Sequence, residues 1–240
     1  MRGFEKLRGL TTKGQELIGQ VKFARLFFKI VNNPNDTTQV FKLSDIVYNE
    51  IRKQNPREVS KYLRSSEVYR QALEERYMPA LYQIEDLAVY APGTLGHVYY
   101  RHMTTNGFQK DFYTPVKLSD DLAYIEQRLR ETHDIWHVMT GYGTDVLGEA
   151  SLLAFYLAQA RNEDPFPMII IAAGAAYMAL HDRATMGRYI QGIYEGYNRG
   201  LAASNFYPVK WEELWDRPLA EIQAMLNVSS VVPEATLQAA

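Results

Sequence analysis

Residues 133–149 read HDIWHVMTGYGTDVLGE, and whether they form one helix or two decides the architecture around them. His133 and His137 stand four apart, so on an α-helix they share one face about 6 Å apart. On an uninterrupted helix Glu149 would lie about 120° around the axis from His137, out of reach of a common point. The Gly141-Tyr142-Gly143 segment stops the first helix, and Thr144 or Asp145 caps the next. His137 then lies about 6 Å of helix rise before the break and Glu149 about 7 Å after the restart. The two stand at nearly the same height on antiparallel neighbours, and the spacing predicts an αα-hairpin with His133, His137 and Glu149 on its inner side.

Two neutral imidazoles and a carboxylate on facing helices are a common way to hold a divalent ion in a helical bundle. The donors suit zinc, and they equally suit ferrous iron in a two-histidine, one-carboxylate arrangement, so spacing leaves the metal open. Asp134 points about 100° away from His133 and serves either as a fourth ligand or as a partner that orients His133. An aspartate here is one methylene shorter than the general-base glutamate of H-E-x-x-H proteases, which argues against that chemistry.

Outward from the hairpin, helical periodicity continues in both directions. Apolar positions recur at three- and four-residue steps from Gln15 to Val31, and NNPND, residues 32–36, breaks the pattern. LSDIVYNEIRK predicts a helix starting near Ser44 or Asp45 and ending at Asn55-Pro56, and Arg57 to Tyr77 predicts a surface helix or two short ones. In Tyr90 to Met103, Thr94 is a candidate cap for a short helix; the valine and tyrosines make a strand the competing reading. Gly93 and Gly96 lack a phosphate loop's context and read as turn and packing residues. Residues 107–117 look irregular. Helices are expected from Leu118 to Thr140, from Asp145 to about Asn162, after Pro165 and Pro167, from Met186 to Ala203, and from Trp211 to Leu226. The tail, 227–240, lacks periodicity. The expected fold is all-α, a single-domain bundle over 1–240 with seven to nine helices and a metal-binding αα-hairpin.

Composition narrows the function classes. Of 240 residues, 47% are hydrophobic and 22% charged, as in ordinary globular proteins, and a net charge of -2 gives no basic field for nucleic acid. With no cysteine, disulfides, thiolate metal sites and cysteine nucleophiles are excluded. No stretch approaches the roughly 20 apolar residues of a membrane span. The nearest, Met168 to Leu180, reads as a helix buried against close neighbours. The N-terminal amphipathic helix packs on its own domain or touches a membrane surface.

His133, Asp134, His137 and Glu149, in the order H-D-x-x-H, eleven residues, E, resemble the signature of the coenzyme Q (ubiquinone) biosynthesis protein 4 family. APGTLGHVYYRHM, DLAYIEQRLRETHD and WEELWDRPLAEIQAML resemble further family segments, so the likeness runs from about Tyr90 to Leu226 and is less diagnostic over 1–80. The resemblance implies a helical protein of prenylquinone synthesis that binds zinc through those four side chains. It implies a zinc-dependent carboxy-lyase removing the ring carboxylate of a polyprenylated hydroxybenzoate in favour of a proton or hydroxyl. The rival it leaves is a non-catalytic, prenyl-lipid-binding scaffold for other quinone-biosynthesis proteins, braced by a structural metal. Both rivals imply peripheral membrane contact, on the matrix side of the mitochondrial inner membrane in eukaryotic members. This chain lacks a convincing presequence, and the cytoplasmic face of a bacterial membrane is the expectation for it. A homodimer is expected from base rates for helical bundles.

Overall fold

The computed structural model describes residues 19–110 and 115–228. Helical residues 19–32 (α1) are followed by α2 (Thr37–Gln54), α3 (Pro56–Ser65), α4 (Arg70–Glu75) and α5 (Leu95–Asn106). Then come α6 (Asp121–Thr140), α7 (Val146–Gln159), α8 (Phe166–His181), α9 (Met186–Ala202) and α10 (Leu219–Met225). Short 3-10 turns lie at Ile84–Val89, Arg183–Thr185 and Trp211–Glu213. Among the described residues there is no strand, and no helix is long and apolar enough to cross a membrane.

The α6–α7 pair forms the centre. Asp120 starts α6 by accepting the Ala123 N–H at 2.8 Å, and Gly141 ends it in the left-handed region, φ 75°, donating to His137 O at 2.8 Å. Asp145 then accepts from the Leu147 and Gly148 N–H groups at 2.8 and 3.0 Å and starts α7. Large side chains hold the two helices apart: the Trp136 ring lies 3.9 Å from that of Tyr156, with 4° between their planes, and meets Phe155 edge-on at 6.1 Å. On its other side α7 packs tightly on α9. A Cβ on Gly196 would stand 2.1 Å from Ser151 O, so side chains are missing where the backbones meet. Beyond α8, α1 completes the packing, with Ile30 and Val31 buried beside Leu43 and Ala173.

Several elements differ from expectation. Helix α2 begins at Thr37, because its polar first turn hides the apolar period and Ser44 lies buried mid-helix. Two other readings hold: the Arg57–Tyr77 region resolves into two short helices, and Tyr90–Met103 forms the expected short helix rather than a strand, with Thr94 accepting the His97 N–H. The single helix expected over Trp211–Leu226 is split. Pro218 has no N–H to donate and disfavours helical geometry at Arg217. The extended stretch instead caps α5: Leu95 and Gly96 donate to Arg217 O and Trp215 O at 2.9 Å each, and Leu219 donates back to Gly93 O at 2.9 Å. Gly96 is packed so closely that a Cβ would stand 2.6 Å from Tyr90. Helix α8 is buried on one face only, since Met168 and Leu180 are 52% and 67% exposed. Of the supposedly loose tail, Val228 is buried and donates to Gln223 O at 2.8 Å; residues 229–240 lie outside the described ones.

Asp121 ties α3 and the end of α4 to the start of α6. Its buried carboxylate accepts from Ser60, from Arg64 Nε and Nη2 at 2.7 and 2.9 Å, and from Arg76 Nη1 at 2.7 Å. Burial alone would raise its pKa, but these partners hold it below the usual carboxylate value. Its contribution is therefore full above about pH 4 and is lost as pH falls through the lowered folded value. Both arginines are about half-exposed, so the expected cost of Asp121→Asn at pH 7 is toward the lower part of about 1–3 kcal/mol. Thermal melts of parent and variant should differ by about 2–8 °C at pH 7, and the difference should shrink as pH falls below about 4 and through the lowered folded value.

Candidate metal centre

His133 and His137 project from α6 toward Glu149 on the first turn of α7. His133 Nε2 and His137 Nε2 lie 3.2 Å apart, one Glu149 oxygen lies 3.2 Å from His137 Nε2, and the other lies 3.6 Å from His133 Nε2. A tetrahedral ion with bonds of about 2.0–2.1 Å places its ligand atoms about 3.3–3.4 Å apart, so these separations match an edge of that figure. The three donor atoms lie within 4.8 Å of one another. His137 is wholly buried while His133 and Glu149 are about one third exposed, which leaves the group open to solvent on one side.

The break between the helices also fixes chemistry. His137 Nδ1 lies 3.0 Å from Tyr142 O; a carbonyl only accepts, so the ring proton sits on Nδ1 and Nε2 offers its lone pair. An unprotonated nitrogen and a carboxylate oxygen at 3.2 Å repel unless a proton or a metal ion lies between them. Burial would raise the Glu149 carboxyl, but His133 and His137 hold it well below the usual carboxylate range. Burial opposes charge on His133, and the Glu149 carboxylate outweighs it and raises its pKa. The residues therefore fit a divalent cation with two imidazoles and an ionised carboxylate.

Asp134 is not brought into this group. Its Oδ1 lies 3.9 Å from Nε2 of His102 on α5, whose ring lies 5.9 Å from His137 at 21° between planes. Burial would raise the Asp134 carboxyl, and His102 together with His133 and His137 lowers it. Sequence reasoning missed His102, which is 31 positions before His133 inside an apolar-aromatic run. It also missed Tyr156, whose ring lies 6.0 Å from His133 and whose hydroxyl is buried without a hydrogen-bond partner. In the sequence Tyr142 is only the middle of a glycine-flanked turn. No spacing rule marks a backbone oxygen as an orienting group.

A cavity of about 450 Å³ lies between α1 and α8. Phe23, Phe27, Leu157, Met168, Ile169 and Ala172 give it apolar walls, with Asn162 and Asp164 beside them. Burial pushes the Asp164 carboxyl up, against hydrogen bonds from Tyr48 Oη at 2.7 Å and the Phe166 N–H at 2.9 Å. Leu157 is eight residues after Glu149 on α7, about 12 Å along the axis and about 80° around it.

A family model described as "Coenzyme Q (ubiquinone) biosynthesis protein Coq4" matches residues 23–232. A mitochondrial ubiquinone biosynthesis protein COQ4 of Eremothecium gossypii is 32% identical over 149 residues, covering 60% of this chain and 44% of that protein. The mitochondrial COQ4 homolog of Xenopus laevis is 32% identical over 160 residues, covering 61% and 53%. The chain thus spans about half the length of the curated relatives it matches. A crystal structure from Nostoc punctiforme, described as that of a ubiquinone biosynthesis protein, superposes with a TM-score of 0.74 at 29% identity, covering 88% of this chain and 97% of that one.

Proposed function

This chain belongs to the coenzyme Q (ubiquinone) biosynthesis protein Coq4 family, and from that premise we propose that it removes the ring carboxylate of a polyprenylated hydroxybenzoate at a divalent metal site. The observation that carries the reading is the set of 3.2–3.6 Å separations among His133, His137 and Glu149, with the His137 tautomer set by Tyr142 O. Zinc is the proposed ion, and ferrous iron suits the same donors. When bound, the ion supplies Lewis-acid withdrawal of charge from a substrate oxygen. The bond from ring carbon to carboxylate breaks, carbon dioxide leaves, and a proton takes its place on the ring.

The protein's own side chains hold and orient. His137 is immobilised in the core, His133 and Glu149 border the open side, and the cavity between α1 and α8 takes the polyprenyl tail. Helix α1 carries exposed Lys22, Arg25 and Lys29 together with Val21 and Phe28, which are 60% and 62% exposed. That mixture suits peripheral contact with an anionic membrane surface, where a prenylated substrate resides.

The test is turnover of a prenylated hydroxybenzoate by protein reconstituted with zinc or with iron, beside His133→Ala. Release of carbon dioxide by the parent and not by the variant is the expected result. If the metal-replete parent binds the prenyl compound and leaves its carboxylate intact, the lyase reading fails and the scaffold reading replaces it.

A further inference from the structure

We propose that the outer face of α9 is where two copies of this chain pair, antiparallel and across a two-fold axis, with Ile190 of each copy against Tyr194 of the other. None of the residues involved belongs to the metal group, so the pairing stands or falls apart from the metal reading.

Ile190, Tyr194, Tyr197 and Leu201 follow one another at steps of four, three and four, the spacing of a seam that packs into the grooves of another helix. The seam runs about 16 Å along α9. Ile190, Tyr194 and Leu201 are each more than half exposed, so nothing among the described residues covers them. The opposite side of α9 is fixed. A Cβ on Gly192 would stand 2.5 Å from Ser151 Oγ and one on Gly200 2.6 Å from Phe155 O, so α7 presses on the α9 backbone, and Tyr189 is buried beside Met178 of α8. Helix α9 therefore presents its seam on a rigid base, which spares a partner the cost of ordering it.

Charge selects the occupant. Beside the seam the exposed charges are one cation, Arg188, and one anion, Glu195, seven positions apart. One charge of each sign has no net attraction for anionic lipid, unlike α1 with Lys22, Arg25 and Lys29. Turned over by a two-fold axis near Gly192, the same surface is its own complement. Ile190 of each copy falls opposite Tyr194 of the other, and Arg188 of each comes level with Glu195 of the other. A parallel pairing would set Arg188 beside Arg188 and Glu195 beside Glu195. The net charge of -2 leaves little repulsion between whole copies. A pair held by this seam is a small interface, and micromolar association is its scale.

Sedimentation of the full chain at about 50 μM should give twice the mass of one chain, returning to a single chain on dilution. Tyr194→Lys should weaken pairing by about 100-fold or more and leave the thermal melt of a dilute sample unchanged, since the side chain it replaces is exposed. The chain has no cysteine, so a single introduced thiol reports self-contact alone. Under diamide, Gln191→Cys lies beside the axis and should form a disulfide-linked dimer; Asn198→Cys, about 9 Å from the axis on each copy, should not. Cross-linking in equal yield at both positions means a parallel pair and overturns the proposal. A dimer whose mass Tyr194→Lys leaves unchanged overturns it by placing the interface elsewhere. A parent that stays a single chain at the higher concentration overturns it too; if Tyr194→Lys then releases that chain from phosphatidylcholine vesicles, the occupant of the seam is a lipid surface. Should Tyr194→Lys fail to fold, the parent's mass and the two cysteine variants decide alone.

Discussion

His137→Ala should lower zinc affinity by about 100- to 10,000-fold, the largest functional effect of any single substitution at this site. Structural zinc sites with four ligands contribute about 10–16 kcal/mol in apparent binding free energy near neutral pH, so one ligand in three or four carries about 3–5 kcal/mol. His137 should lie at the upper end because it is wholly buried and its lone pair is aimed in advance, whereas His133 is about one third exposed. Competition titration with a chromophoric chelator measures the change. Equal affinity in parent and variant would sink the assignment of these residues as ligands. Because His133 must be neutral to bind and the Glu149 carboxylate raises its pKa, affinity in the parent should already fall as pH drops through a value above the ordinary histidine one.

Gly148→Ala should be the most destabilising single-methyl change in the hairpin. A Cβ there would stand 2.0 Å from Gly143 O and 2.7 Å from Gly143 N, so it meets backbone, which cannot rotate away. Either the first turn of α7 unwinds or the 141–143 segment moves, and the cost should reach or exceed about 3 kcal/mol. For a chain of this size that corresponds to about 6–12 °C in Tm. The same movement pulls Tyr142 O from His137, so metal affinity should fall although no ligand was changed. Gly187→Ala is the control: nothing lies within 4 Å of its Cβ position on α9, and helix propensity alone should make it neutral or stabilising by up to about 1 kcal/mol. A Gly148→Ala melt that coincides with the parent's would show that the close contact is not maintained in solution.

The sequence made the hairpin legible because its signals are local. Asp120, Gly141 and Asp145 stop and start helices by capping bonds within four residues, and His133, His137 and Glu149 follow from helix geometry once the break is placed. What stayed hidden depends on contacts between distant segments. Leu219–Met225 was masked because the periodicity of Trp211–Leu226 runs through Pro218, and only the partner α5 shows why the chain extends there. Helix α8 read as buried because its residues are apolar all round, yet composition does not say how many faces have neighbours. His102 could not be found for the same reason, since its place beside Asp134 exists only after α5 docks on α6.

The group that sets the His137 tautomer is a main-chain oxygen, and every amino acid owns one. As far as His137 is concerned, Tyr142 can be exchanged freely, and a mutational scan at that residue would report its ring's contacts with Arg199 and the core rather than the bond it supplies. The scan would respond at Gly141 and Gly148, neither of which touches the histidine ring through a side chain. The heritable record of this site's proton arrangement is therefore kept in its glycines, two residues with no chemistry of their own to offer.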